Sequence, residues 1–189
     1  MYFVRSFLLK GKDCRVVALL LAALFVVGLF YSQARQQSSL ATPQAVEIWS
    51  YICEVAALHD LPPEFVYAIA TAESHLIAHA QSESARGLMQ LSRIAWREVS
   101  DAPYREAWDW RANIRAGVDY LDFCRKLLRE NNAESYALLA ACFRYGPYYV
   151  QRHDFDIAKI QAPKNIIYQK LFAGVVAPVP APHMLNSDK

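Results

Sequence analysis

An acid that closes the apolar face of a helix is a residue whose type and position could do chemistry, and here that residue is Glu73, within the stretch Ala72–Leu91. Residues 65–72 (FVYAIATA) read as a helix with Val66, Ile69 and Ala70 in one stripe, and Glu73 falls four residues after Ile69 and three after Ala70. An acid held there loses hydration, which disfavours its charged form, raises its pKa and lets it donate a proton to a leaving group near neutrality. The competing reading is a solvated or capping Glu in the last turn of a helix, which residue type alone favours. Beside Glu73, Gln90 carries an amide that can both donate and accept, and Ser82 either faces a ligand or turns the loop. His75 and His79 are assigned no role, and no Cys/His spacing resembles a zinc site.

These residues need a scaffold, and the pattern is helical throughout. A first helix starts at Thr42-Pro43, a hydroxyl cap followed by Pro at the first helical position, and ends near His59. Asp60-Leu61-Pro62-Pro63 breaks and restarts the chain, and the second helix carries Glu73. Residues 74–84 lack helical periodicity and form a loop long enough to be a binding element. Leu88, Leu91, Ala95 and Val99 then predict another helix. Trp108 and Trp110 end an irregular piece and are expected in the core rather than exposed for stacking. A long helix runs from Asn113, itself read as structural, to Asn131-Asn132. Another covers residues 137–145 and stops at Gly146-Pro147, with Tyr148, Tyr149 and His153 in a loop after it. Asn165 caps a last short helix. Nothing alternates with period two over a strand's length, so the expected fold class is all-α.

The 189 residues are 54% hydrophobic, enough for one sizeable core. Arg5, Lys10, Lys12 and Arg15 precede an uncharged apolar run, residues 16–31, which is the layout of an export signal. Cleavage after Ala34 and retention as an N-terminal anchor are both open, since the run falls short of the roughly 20 residues that span a bilayer comfortably. Either way the domain is exported, to the periplasm or to the periplasmic face of the inner membrane. Residues 1–34 hold four of the 20 basic and one of the 18 acidic residues, so 16 and 17 remain. A nearly neutral domain argues against nucleic acid as partner. Cys53, Cys124 and Cys142 sit on apolar helix faces and are expected as buried small hydrophobes, with a bridge between any pair left open.

Four blocks in order carry a resemblance: Glu73-Ser74; Ser82 to Leu91 with its Gly-Leu-Met-Gln run; Asn113 to Leu121 with its inner Gly117; and Ala141 to Pro147. Together they resemble the lytic transglycosylases of the soluble-transglycosylase (SLT) type, relatives of goose-type lysozyme, from about Ile48 to Phe172. The resemblance implies a lysozyme-like helical domain that cleaves the bond between N-acetylmuramic acid and N-acetylglucosamine in peptidoglycan and leaves a 1,6-anhydro ring. Glu73 matches the family's single catalytic acid, and no cofactor or metal is implied. Ser82, Gln90, Tyr120 and Tyr168 match positions around the cleft, each with core packing or loop turning as the alternative. A two-carboxylate glycosidase needs a second acid about 5–9.5 Å from the first. Glu83, Glu98, Asp101 and Asp109 are nearest in the chain, and none is placed to be nominated.

The chain also departs from the family. Phe143-Arg144 stands where Tyr-Asn is usual, and that tyrosine's hydroxyl helps hold the catalytic acid. Either Tyr145 replaces it or the acid is left freer with a higher pKa, while Arg144 suits a carboxylate on the peptide stem or the muramyl lactyl group. Ser84 replaces a Gly and Arg93 a Pro. The expected organisation is a signal or anchor over residues 1–34, a tether and first helix start over 35–47, the catalytic domain over 48–174 and a Pro-rich disordered tail over 175–189. Expected partners are peptidoglycan strands, the membrane if the leader is uncleaved, and cell-wall or secretion machinery. A hydrolase on the same fold, a non-catalytic wall-binding scaffold and a membrane-anchored helical adaptor are the alternatives.

Overall fold

The computed structural model describes residues 19–29 and 43–182. The first stretch is one helix, α1 (residues 19–29), with its apolar side chains exposed. Among the described residues no helix is long and apolar enough to cross a membrane. The basic flank, the cleavage site and Thr42 lie outside them. The described residues from 43 onward form a unit of their own.

That unit is a helical bundle around one core. Helix α2 (Ala45–Ala57) starts later than Thr42-Pro43 predicts, because the Gln44 backbone N–H donates to the Glu47 carboxylate at 2.8 Å and closes the first turn there. Helix α3 (Pro63–Ser74) has Pro in its first turn, and every residue from Phe65 to Ala70 is buried. The apolar stripe read from the sequence therefore understates α3, which is enclosed on all sides and packs against α2 and the last helix.

A two-stranded hairpin replaces the helix predicted over residues 88–99. Strands β1 (Ala85–Arg86) and β2 (Leu91–Ser92) pair antiparallel, Ala85 with Ser92 and Arg86 with Leu91. Gly87 and Gln90 both have positive φ, which no helix tolerates, and only residues 93–99 continue as α4 (Arg93–Val99), capped by the Ser92 hydroxyl. A 3-10 turn, Tyr104–Trp108, follows Pro103.

Helix α5 (Trp110–Glu130) begins three residues before the expected Asn113, because Asp109 caps it by accepting from the Arg111 and Ala112 N–H groups. Trp110 is core, and Trp108 is half-buried under the Arg86 guanidinium. Helix α6 (Tyr136–Tyr145) lies along α5. Gly146 ends it, yet the chain re-enters helix at once: Tyr148 and Tyr149 lie in α7 (Pro147–Arg152) rather than in a loop, since Pro147 suits a first helical position. A 3-10 turn at Ile157–Lys159 leads to α8 (Ile166–Phe172), capped by Asn165 as expected. Cys124 and Cys142 are buried free thiols and Cys53 is half-buried. Residues 175–182 differ from the disordered tail expected: Val176 and Val179 pack on the core and Ala181 is buried, apolar side chains anchoring what the prolines extend.

Candidate active site

A left-handed cap and two side-chain ties place the end of α3. His75 takes the left-handed conformation, φ 55°, and stops the helix immediately beyond Glu73-Ser74. The buried Ser74 hydroxyl donates to the Leu88 carbonyl at 2.6 Å and ties α3 to the hairpin. Asn113, buried on α5, is the second tie: its side-chain oxygen accepts from Met89 N–H at 2.7 Å, and its amide donates to the Arg86 and Ala107 carbonyls. A Cβ on Gly87 would come within 2.3 Å of that amide and 2.4 Å of the Ala107 carbonyl, so the positive φ and the close approach both demand glycine. On α5, a Cβ at Gly117 would stand 2.3 Å from the Met89 sulfur. The Gly-Leu-Met-Gln run is thus a plug, with Leu88 and Met89 fully buried, an anchorage of roughly 1.5–3 kcal/mol for each side chain.

Glu73 sits above this plug with its side chain 6% exposed. The Tyr168 hydroxyl, brought by α8, donates to Oε1. Arg144, near the end of α6, approaches with Nη1 3.2 Å from Oε2 and 3.4 Å from Oε1. Burial pushes the Glu73 pKa above the ordinary carboxylate value, and the Tyr168 hydrogen bond and the Arg144 charge pull back without cancelling it. Burial and the adjacent carboxylate push the Tyr168 hydroxyl well above the usual phenol range, so it stays a neutral donor. The expectation drawn from the helix face, a desolvated acid of raised pKa, holds.

Glu73 opens into a cleft of about 770 Å³. The hairpin side supplies Ser82 and Gln90, α5 supplies Tyr120 and Phe123, and α6 with α7 supplies Phe143, Tyr145 and Tyr148. Of the residues singled out from the sequence, Glu73, Ser82, Gln90, Tyr120, Phe143 and Tyr145 line it, and Tyr168 supports Glu73 from beneath. Their roles sort further. The Ser82 hydroxyl accepts from Ala85 N–H at 3.1 Å and so turns the loop. Both hydrogens of the Gln90 amide are spent on the Ala80 and Gly87 carbonyls at 2.9 Å, so toward a ligand it offers its carbonyl oxygen rather than the donor-and-acceptor pair expected. Tyr120 stacks on Phe123 and meets the edge of Phe143, forming an aromatic wall. Burial raises the Tyr120 hydroxyl pKa.

One expectation about the Phe143-Arg144 departure is corrected. Tyr145 does not hold the acid, because its hydroxyl donates to the Gln161 carbonyl at 3.0 Å. Tyr168 holds it instead. Arg144 is paired with Glu73 itself. Sequence reasoning also missed Ser74 and Asn113 as ties between α3, the hairpin and α5, although Asn113 was rightly read as structural.

Comparison with known proteins adds three findings. The family model described as Transglycosylase SLT domain matches residues 50–153, which include Glu73 and every cleft residue up to Tyr148 but not Tyr168. Among solved structures the chain is similar to an inactive mutant of the lytic transglycosylase Slt from Pseudomonas aeruginosa, at 20% identity and a TM-score of 0.49, covering 68% of this chain and 22% of that one. A search of curated proteins found no match.

Proposed function

Starting from the premise that the chain belongs to the transglycosylase SLT domain family, whose model matches more than half of it, we propose that it is a peptidoglycan lytic transglycosylase with Glu73 as sole acid and base. One observation carries this reading: a single desolvated carboxylate of raised pKa lies in the cleft, held by a neutral hydroxyl. In the first step protonated Glu73 gives its proton to the oxygen linking N-acetylmuramic acid to N-acetylglucosamine, and the bond to the anomeric carbon breaks. In the second, the muramic 6-hydroxyl attacks that carbon and its proton passes to the Glu73 carboxylate. The 1,6-anhydro ring closes and Glu73 returns to its starting state, with no water consumed. Tyr168 suits both steps, since its O–H orients the carboxyl and supports the carboxylate without taking the proton away.

The basic and apolar layout of residues 1–34 supports export, with the domain acting in the periplasm, free or anchored through that segment. Glu83 and Glu98 also line the cleft, both exposed, and they favour a second reading in which one of them activates a water, as in a hydrolase. Tyr168 makes the hydrogen bond that Phe143 cannot, which supports a working acid over a non-catalytic wall-binding scaffold. Mass spectrometry of peptidoglycan digested by the full chain decides. Anhydro-muropeptides are expected, and none from Glu73→Gln; reducing ends alone would establish hydrolysis.

A further inference from the structure

Arg144 is a charged cleft side chain that the two steps above leave unused. It is the only cation among the residues that line the cleft, whereas Glu73, Glu83 and Glu98 are carboxylates. The groups facing Glu73 are the Tyr168 hydroxyl from α8 and the Arg144 guanidinium from α6. Glu83, beside the hairpin, and Glu98, on α4, are the other charged groups of the cleft. A glycan substrate bearing carboxylates enters a site of its own sign, and among the described residues that line it Arg144 is where it meets opposite charge.

At rest that place is taken, but loosely. Only Nη1 touches Glu73, at 3.2 and 3.4 Å, longer than the 2.7–2.9 Å usual for charge-assisted bonds and unlike the bidentate fork that arginine forms with an accessible carboxylate. The Arg144 side chain is 44% exposed and already lines the cleft, so it can turn toward a ligand without leaving α6, giving up only a 5.7 Å contact with the Tyr168 ring. The pair also works against the proposed chemistry, because a cation beside Glu73 favours the ionised form, which cannot donate.

Resting on the transglycosylase reading, we propose that Arg144 is an exchangeable counter-ion: it pairs with Glu73 in the empty cleft, and a substrate carboxylate draws it away so that Glu73 takes a proton from solvent. The carboxylate is either the muramyl lactyl group, free once the stem is removed, or a carboxylate of the stem peptide itself. Arg144 therefore selects anionic glycan and couples its arrival to arming of the acid. It is a positioning and specificity residue, since it reaches the leaving oxygen only through Glu73.

The test is the pH dependence of kcat/KM, which reports the free enzyme, against that of kcat, which reports the bound one. Both are measured with the full chain on soluble glycan strands, with intact stems and with stems removed. Donation requires protonated Glu73, so each profile falls as pH rises through its pKa. In the wild type the fall in kcat/KM comes at lower pH than the fall in kcat. Arg144→Gln moves the kcat/KM limb up to meet the kcat limb and raises KM about tenfold, the loss of one charge-assisted contact, and Arg144→Lys keeps the two limbs apart. Separation on stem-free strands assigns the lactyl carboxylate, and separation confined to intact strands assigns the stem. Coinciding limbs in a wild type that cleaves, or a separation that survives Arg144→Gln, overturns the exchange and leaves the proposed reaction standing. A wild type that cleaves no strand at any pH overturns both. Matched thermal melts of the variants exclude misfolding.

Discussion

Two shielded carboxylates in this protein each face an arginine, and their pKa values move in opposite directions. Glu73 meets Arg144 at 3.2 Å with its side chain 6% exposed, and its pKa is raised. Asp122, on α5, meets Arg125 at 2.7 Å with its side chain 11% exposed, and its pKa is lowered. Burial pushes both upward, so the partners decide. Asp122 has two cations, Arg125 and Lys126, the latter at 2.8 Å, with His59 close by, and Lys126 reaches well into solvent. Arg125 in turn donates through Nη1 and Nη2 to the Asp60 and His59 carbonyls just beyond α2, leaving its buried Nε without a partner, so the cluster is a clamp that joins the end of α2 to α5. Glu73 has one distant cation and a neutral hydroxyl, too little to offset its desolvation. A clamp needs its carboxylate charged; a proton donor needs the opposite, and the number of close cations separates them.

Glu73→Gln should break the comparison most deeply. Loss of the proposed general acid should lower peptidoglycan cleavage by about 10²–10⁴-fold, read as release of soluble muropeptides. The same change raises stability at neutral pH by about 1 kcal/mol in thermal or denaturant unfolding, the usual return from relieving a functional site. The sign follows from linkage: a raised folded pKa gives stability that is present below the unfolded carboxylate value and lost as pH rises through the folded one. Asp122→Asn is the mirror case. It leaves Arg125 buried and unpaired and should cost about 3 kcal/mol while cleavage per folded molecule is kept. Its deficit is full above the ordinary carboxylate range and shrinks as pH falls through the lowered Asp122 value, because there the wild type protonates too. Parallel pH slopes for the two variants would sink the contrast.

Tyr168→Phe sharpens the Glu73 half. Removing the hydroxyl deletes a hydrogen bond that favours the carboxylate, so the alkaline fall of cleavage activity should move to higher pH. The freed carboxyl is also less well aimed, and kcat should drop about tenfold, the worth of one hydrogen bond to a charged group. A fall in kcat with an unmoved profile would mean that Tyr168 only fills space.

Much of this was legible in the sequence where the signal is local. Glu73 was found because a helical stripe fixes which face its last residue joins, and Asn165 because an Asn before an apolar turn is a cap. The hairpin was not, since Leu88, Leu91 and Ala95 happen to fall at helical spacing while the positive φ values of Gly87 and Gln90 leave only a glycine as trace. Partners far along the chain were the harder part. Tyr168 lies 95 residues from Glu73 and Arg144 lies 71, and only the packing of α8 on α3 and of α6 on α8 brings them together. The tie that sets α8 there, the Asn165 amide donating to the Ala72 carbonyl at 3.3 Å, is written in a residue whose capping role already accounted for it.

Phe143→Tyr carries the smallest expected effect and the sharpest question about how the acid is held. The family's usual tyrosine at this position would offer Glu73 a hydroxyl, and its loss here suggested from sequence an acid freed to a higher pKa. The structure gives Glu73 its hydroxyl from another helix, and Phe143 instead sets its ring edge-on to Tyr120, 5.9 Å between centroids, in the cleft wall. Glu73 already has both oxygens engaged, Oε1 accepting from Tyr168 and Oε2 facing Arg144, so a hydroxyl added to Phe143 has no vacant place to take on it. The pH profile should stay where it is and stability should change by no more than about 0.5 kcal/mol. In the Tyr168→Phe background the same substitution has work to do: the new hydroxyl can take the vacated place and return the alkaline limb toward its wild-type position. A shift in the single variant as large as that of Tyr168→Phe would show that the acid answers to the α6 position after all, and that Tyr168 is not its principal support.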